Sequence, residues 1–158
     1  MKEDLEYLGD KDILNNYKIG FLCSRKVPSS IILKTYDWAI AQRDAGKCIV
    51  SGFHSKMERD VLHYLLKGTQ PIIIVLARGM YEKLPQSLVK EFDKGRMLII
   101  TPFKKYIRRI SEEETYKRSE SIIRLSNEVV IPYVSPEGQL NKLLENVSAD
   151  ERNKIHFL

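Results

Sequence analysis

The chain has 158 residues, close to the length of one folded domain, and 43% of them are hydrophobic while 30% are charged. This composition excludes collagen-like, low-complexity and disordered proteins. Its 26 Lys and Arg outnumber its 21 Asp and Glu, which gives a net charge of +5 that is compatible with a polyanionic partner without requiring one.

Neither a membrane segment nor a targeting segment is expected. The longest uncharged apolar run, Pro71 to Ala77, is far shorter than the ~20 residues of a membrane helix, and the first residues lack the apolar core of a signal peptide. We therefore expect a cytoplasmic protein with no membrane partner, organised as a single domain over residues 1–158.

Short apolar runs alternate with helical patterns along the chain, after a lead-in over residues 1–16 that we predict to be helical. Five runs predict strands, at Tyr17–Cys23, Lys47–Ser51, Ile72–Ala77, Met97–Thr101 and Glu128–Val134. A helical pattern follows each run, and these patterns end near Gly46, Gly68, Gly95, Ser126 and Asn146. Residues 148–158 are predicted to be a polar tail.

Strands that alternate with helices predict a parallel sheet, because parallel neighbours need crossover connections, which usually carry helices. The run Ile72–Ala77 is apolar at every position, so we place it at the centre of the sheet. The predicted fold class is therefore α/β, with a doubly wound, mostly parallel, five-stranded sheet and helices on both faces (Rossmann-like).

Four of the five loops that follow the strands carry Arg or Lys. Ligands of open parallel sheets bind at the carboxyl ends of the strands, and basic side chains beside helix N-termini bind phosphate. The competing interpretation is that basic residues simply fill the solvent-facing loops of a basic protein. A further stretch, residues 103–109, interleaves Lys and Arg with Phe103 and Tyr106, a composition typical of single-strand binding but also of a solvated loop.

The sequence offers little for catalysis or for a metal. His54 is the one histidine that follows a predicted strand, and no carboxylate is placed to orient it. The phosphate-binding and nucleophile motifs of P-loop, dinucleotide-binding and serine-hydrolase proteins are absent from the sequence. Cys23 and Cys48 lack the spacing of zinc ligands. We therefore predict binding without catalytic residues, metal or cofactor.

The strand-end residues resemble the DNA-processing proteins called DprA or Smf. The family's G-S-R turn is matched by Cys23-Ser24-Arg25, and its S-G-x-A-x-G-I-D segment by residues 51–58. Its V-L-G-x-G segment with a following Y-P is matched by residues 75–80 with Leu84-Pro85, and its R-N-R-I-I-A-G-L-S helix by residues 118–126. Lys56 replaces a family glycine, Glu58 replaces an Asp, and Ser119-Glu120 replace Asn-Arg.

The resemblance implies a basic pocket that binds single-stranded DNA and a recombinase of the RecA type as partner, and it leaves a homodimer open. The alternatives are a nucleotide-binding sensor or nucleotide-processing enzyme, with His54 and Glu58 beside the phosphate loops, and a protein-interaction module without a ligand. The residues that we predict to bind phosphate or nucleic acid are Ser24, Arg25, Lys26, Ser51, Gly52, His54, Ser55, Lys56, Arg78, Gly79, Lys104, Lys105 and Arg118.

Overall fold

The computed structural model describes residues 4–158, which form an α/β fold with one twisted sheet. Its strands within that range are β1 Glu6–Gly9, β2 Lys18–Phe21, β3 Cys48–Ser51, β4 Ile72–Val75, β5 Met97–Thr101, β6 Glu128–Ile131 and β7 Ile155–Phe157. Its α-helices are α1 Ser29–Asp44, α2 Lys56–Leu66, α3 Gln86–Asp93, α4 Glu112–Leu125, α5 Gln139–Asn146 and α6 Ala149–Arg152. A 3₁₀ helix spans Lys11–Asn15.

The strand order is β1-β5-β4-β3-β2-β6-β7, and every neighbouring pair is parallel except β1 with β5. From β2 the chain winds outward through β3, β4 and β5, and it then returns to place β6 on the other side of β2. The order therefore reverses between β2 and β6, which is where open α/β sheets leave a crevice for a ligand.

Apolar side chains cover both faces of the sheet because successive strand residues point to opposite sides. In β4, Ile72 and Ile74 belong to a core cluster with residues of α1, α2 and α3, whereas Ile73 and Val75 belong to a second cluster with residues of α4 and α5. The predicted Rossmann-like α/β class, with a mostly parallel sheet between two helical layers, is confirmed.

The predicted number of strands, five, is wrong, because the described residues form seven. The predicted helical lead-in holds only for the 3₁₀ helix at Lys11–Asn15; β1 precedes it, and residues 1–3 lie outside the described residues. The predicted polar tail instead contains α6 and β7. Both added strands are edge strands with half-exposed side chains, so they carry no buried apolar run.

The strand predicted at the centre, β4, lies next to the central strand β3. β4 is completely buried because helices cover both of its faces, as they do for every interior strand. A fully apolar run therefore predicts an interior strand but does not tell which interior strand is the central one.

The two ends of the described chain meet the sheet at the same edge. Glu6 of β1 lies opposite Thr101, the last residue of β5, because this pair is antiparallel. Phe157 of the parallel strand β7 lies opposite Ile131, the last residue of β6. The carboxyl edge, defined as the edge where the parallel strands end, therefore also holds the first residue of β1 and the last residue of β7. Within residues 4–158 no helix is long and apolar enough to cross a membrane.

Candidate nucleic-acid interface

A cavity of about 360 Å³ opens at the carboxyl edge, where the strand order reverses between β2 and β6. The loop after β2 supplies Leu22 to Lys26, and the segment after β3 supplies His54, Ser55 and Glu58. The remaining lining residues come from the first half of α4 and from the segment 135–143 after β6. The volume falls in the range of small-molecule and cofactor pockets, about 300–1,000 Å³.

Ser24 joins the two loops on either side of the strand-order reversal. Its Oγ accepts a hydrogen bond of 2.8 Å from the backbone N–H of Ser135, and its own N–H donates to the carbonyl of Tyr133 at 3.2 Å. The side chain is buried and lines the cavity. Ser24 therefore links the β2 and β6 loops, and no acceptor for its hydroxyl hydrogen is found among residues 4–158.

Arg118 of α4 is the most deeply buried cation of the cavity, with 5% of its surface exposed. Its Nε is buried, and no hydrogen-bond partner for it exists among residues 4–158. Desolvation lowers the pKa of this guanidinium, and nearby Arg25 lowers it further, while the carboxylate of Glu58 opposes both effects. A buried donor without a partner is costly, so this side chain is a strong candidate for an anion ligand.

Gly52 makes room for that arginine. A Cβ added at Gly52 would lie 2.6 Å from Nε, Cζ and Nη1 of Arg118, closer than real side chains approach one another. The left-handed backbone of this turn belongs instead to Phe53, whose φ is 49°. A side chain at this position would have to displace the Arg118 guanidinium, a close approach within the protein that the sequence alone did not indicate.

Glu58 shapes the cavity through the start of α2. Its Oε1 accepts hydrogen bonds from the backbone N–H groups of His54 at 2.9 Å and of Ser55 at 3.3 Å, while Ser55 Oγ accepts from the N–H of Glu58. This capping box occupies a carboxylate that is 3% exposed. Glu58 is therefore a structural cap and a buried negative charge rather than a free general base.

The pKa values of His54 and Cys23 are shifted by burial and by the charges around the cavity. Desolvation lowers the pKa of His54, and the positive charges of Arg118, Arg25 and Arg59 add to that effect, with Glu58 acting against it. Desolvation and the charge of Glu58 raise the pKa of the Cys23 thiol to about 12. At neutral pH the thiol is protonated and unreactive, and the imidazole faces a positive environment that an anion would relieve.

Six of the predicted site residues line this cavity: Ser24, Arg25, Lys26, His54, Ser55 and Arg118. Ser51 is fully buried behind them, where its Oγ accepts from the N–H of Phe53 at 3.3 Å, and Gly52 abuts Arg118. Lys56 is outside the lining, and its Nζ pairs with Asp60 at 3.0 Å on the exposed side of α2.

Arg78, Gly79, Lys104 and Lys105 form a second group at the ends of β4 and β5, outside the cavity lining. The N–H of Gly79 donates to the carbonyl of Ile107 at 2.6 Å, and a Cβ at Gly79 would collide with the backbone of Lys104. Arg78 lies 5.1 Å from the ring centre of Tyr81. We call residues 102–110 the basic segment; its Lys104, Lys105 and Tyr106 are exposed.

Apart from Arg118, the predicted site residues did not include the side of the cavity built by α4 and by the segment after β6. The missed lining residues are Glu112, Thr115, Tyr116, Ser119, Ser135, Glu137, Gly138, Gln139, Leu140, Lys142 and Leu143. The signal that could have found them is the position of the loop after Glu128–Ile131, once β6 is known to lie beside β2. The described residues contain no group of three or more His, Cys, Asp or Glu side chains that could hold a metal.

No family model matches the sequence, and no curated protein matches it. Among solved structures, DNA processing protein A from Helicobacter pylori superposes with a TM-score of 0.75 at 17% identity over 97% of this chain. The protein of the same name (DprA) from Streptococcus pneumoniae superposes with a TM-score of 0.72, also at 17% identity and over 97% of this chain. The chain has a DprA-like fold.

The resemblance read from the strand-end motifs is thus confirmed at the level of the fold. This chain spans 70% of the H. pylori chain and 54% of the S. pneumoniae chain. The H. pylori structure concerns that protein's single-stranded DNA binding mode. Among the residues that match the DprA motifs, Arg25 and Arg118 line the cavity and Gly52 lies against Arg118.

Proposed function

We propose that this chain binds single-stranded DNA through its phosphate backbone in the cavity at the carboxyl edge. The observation that carries the proposal is the Arg118 guanidinium, 5% exposed with a buried Nε that lacks a partner within residues 4–158. A phosphate oxygen would satisfy that donor through a charge-assisted hydrogen bond. The ligand would thereby remove the cost of the unpaired polar group.

Arg25 and Lys26 support the same proposal because both are exposed and line the cavity beside Arg118. Positive charges from separate elements converge there, with Arg118 on α4 and the other two on the loop after β2. The similarity to the fold of a protein that binds single-stranded DNA agrees with this arrangement. Residues 1–158 as one Rossmann-like domain form part of this proposal, since both core clusters pack on one sheet.

A nucleotide as ligand is the second candidate, and the cavity volume of about 360 Å³ favours it, because a single nucleotide would fit such a space. The capping role of Glu58 leaves His54 as the remaining titratable group of the predicted pair. The RecA-type partner and the homodimer remain predictions from the resemblance.

Fluorescence anisotropy with an internally labelled oligothymidylate of roughly 20 nucleotides, longer than one typical single-strand site, tests the proposal. Arg118→Gln and Arg25→Ala should each weaken binding by roughly 1–3 kcal/mol, the scale of a charge-assisted hydrogen bond. Lys47→Ala is the matched control, because Lys47 is exposed and precedes β3 at the opposite edge of the sheet. It removes the same charge and should change the affinity little.

Equal losses in all three variants would mean a general field effect and would contradict a site in the cavity. Competition with thymidine monophosphate separates the two ligand classes. If the mononucleotide binds as tightly as the oligomer, the nucleotide alternative replaces single-stranded DNA. Circular dichroism of each variant establishes that the fold is intact before affinities are compared.

A further inference from the structure

On the side of β6, a hydrogen bond bridges the two helices that line the cavity. Gln139, the first residue of α5, donates from Nε2 to the backbone carbonyl of Glu112, the first residue of α4, at 2.8 Å. This hydrogen bond ties the starts of the two helices together across that side. A strand of DNA that passed through the cavity would have to break it.

The same side carries negative charge. Glu112 and Glu137 both line the cavity and both side chains are exposed, so these two carboxylates outnumber the one cation on that side, Lys142 of α5. No ion pair involves either carboxylate among the residues that the structure describes. A phosphodiester leaving toward β6 would therefore meet carboxylates, which repel it.

The opposite side is open and basic. Beyond Arg25 and Lys26, the carboxyl edge continues over the ends of β3, β4 and β5 to the basic segment. That segment has four basic residues and no acidic one. Three strand spacings separate β2 from β5, about 14 Å, which a few nucleotides span at roughly 3.4 Å or more each.

We propose that the cavity is a dead end that receives the terminal nucleotide of a single strand, with the rest of the strand leaving toward the basic segment. The inference rests on the proposed function and adds to it a requirement for a free end. A terminal nucleotide carries no phosphodiester on its outer side, so it can sit against the wall formed by Gln139, Glu112 and Glu137. An internal nucleotide would place a charged linkage there.

The test compares linear and circular oligothymidylates of the same length, roughly 60 nucleotides, which exceeds a typical single-strand site of roughly 4–16 nucleotides several times over. Both carry one internal fluorophore, and the circle is made by ligating the linear form. The linear oligomer should bind the wild-type chain at least about tenfold more tightly, because only it avoids placing a phosphate beside the carboxylates.

Equal affinity for the two forms would overturn the dead-end cavity while leaving the proposed function standing, whereas weak binding of both would contradict the proposed function itself. Arg118→Gln tests whether the cavity is responsible, because the preference for linear DNA should disappear when the phosphate contact of Arg118 is removed. A preference that survives in this variant would overturn the assignment of end recognition to the cavity. Asp93→Asn, which changes an exposed carboxylate at the end of α3, is the control and should keep the full preference.

Discussion

Two buried arginines in this chain differ in how fully their N–H groups are hydrogen-bonded. Arg96, 7% exposed, donates to the carbonyls of Gln70, Leu65 and Leu66 and to Glu91 Oε1, the last at 2.6 Å. These bonds tie the end of α2 to the beginning of β5. Arg118 is buried to a similar degree, yet its Nε has no partner in the part of the chain that the structure describes. The first guanidinium is fully engaged within the fold, whereas the second keeps a buried donor for the phosphate that we propose as its ligand.

This contrast predicts divergent effects on stability. Arg96→Met should lower the free energy of unfolding by about 3–5 kcal/mol, because it leaves buried carbonyls and Glu91 without their donor. Arg118→Met should lower it by less, about 1–2 kcal/mol, because Nε makes no hydrogen bond that would be lost, although the buried Glu58 carboxylate loses a nearby positive charge. Urea denaturation of both variants measures the difference. Similar losses in the two would show that Arg118 also stabilises the fold.

The basic segment is the element that a longer ligand would reach beyond the cavity. Gly79 anchors it through the hydrogen bond to Ile107, and Tyr106 is 78% exposed, so its ring has a free face for a base. Arg108 is already paired with Glu82 at 2.5 Å. Lys104 and Lys105 are exposed and pair with no carboxylate among residues 4–158, so we assign the backbone contacts of a longer strand to them.

Length dependence tests that assignment. Reversal of Lys104 and Lys105 to Glu should weaken binding of a long oligomer strongly and of a mononucleotide little, because only the longer ligand reaches the segment. Tyr106→Ala should cost roughly 1–3 kcal/mol for any base sequence, since stacking tolerates base identity. Titration with oligothymidylates of increasing length measures both effects. If no oligomer loses affinity in either variant, the segment is a solvated loop.

The elements that could be predicted well from the sequence are the interior strands, whose own residues form a continuous apolar run. The interior strands are apolar because helices cover both faces, as in Ile72–Val75, and the loops after β2, β3 and β6 line the cavity. The edge strands Glu6–Gly9 and Ile155–Phe157 were not predicted. Their side chains are partly exposed, and their backbone hydrogen bonds depend on strands that are distant in the sequence or separated from them by helices. A strand of three or four residues that pairs with a distant part of the chain shows no recognisable hydrophobic periodicity.

The cavity was only half predictable for the same reason. Arg25 could be placed from its own strand and loop, whereas Glu137 and Gln139 join the site only because β6 lies beside β2. Lys56 was predicted to face the ligand and instead pairs with Asp60, since its position on the first turn of α2 turns it outward. The role of Gly52 depended on where Arg118 lies in space, which no local pattern encodes.

The whole molecule carries a net charge of +5, but the distribution of that charge matters more than its sum. Along the carboxyl edge, the cavity offers Arg25, Lys26 and Arg118, and the basic segment adds Lys104 and Lys105. If each of these five cations contacts one phosphate, the number of counterions released from the DNA is proportional to five. The binding constant for a long oligothymidylate should then fall with salt at a slope of about −3.5 on logarithmic axes, from roughly 0.7 for each contact.

A mononucleotide, with one phosphate, should give a slope near about −0.7, and Arg118→Gln should make the slope of the long oligomer shallower by about the same amount. Anisotropy titrations across a series of potassium chloride concentrations provide these slopes. A slope for the long oligomer no steeper than that of the mononucleotide would mean that the strand touches the protein at a single phosphate.

The direction of the two edge strands has a practical consequence for anyone who labels or immobilises this protein. β1 starts at the carboxyl edge and β7 finishes there, at opposite ends of the strand order and six strand spacings apart, about 29 Å. A polyhistidine tag that continued from the start of β1 or from the end of β7 would leave the sheet at the carboxyl edge, the edge that also holds the cavity. Binding assays therefore call for tag-free protein, and dyes are better attached at the opposite edge of the sheet, where Lys47 precedes β3.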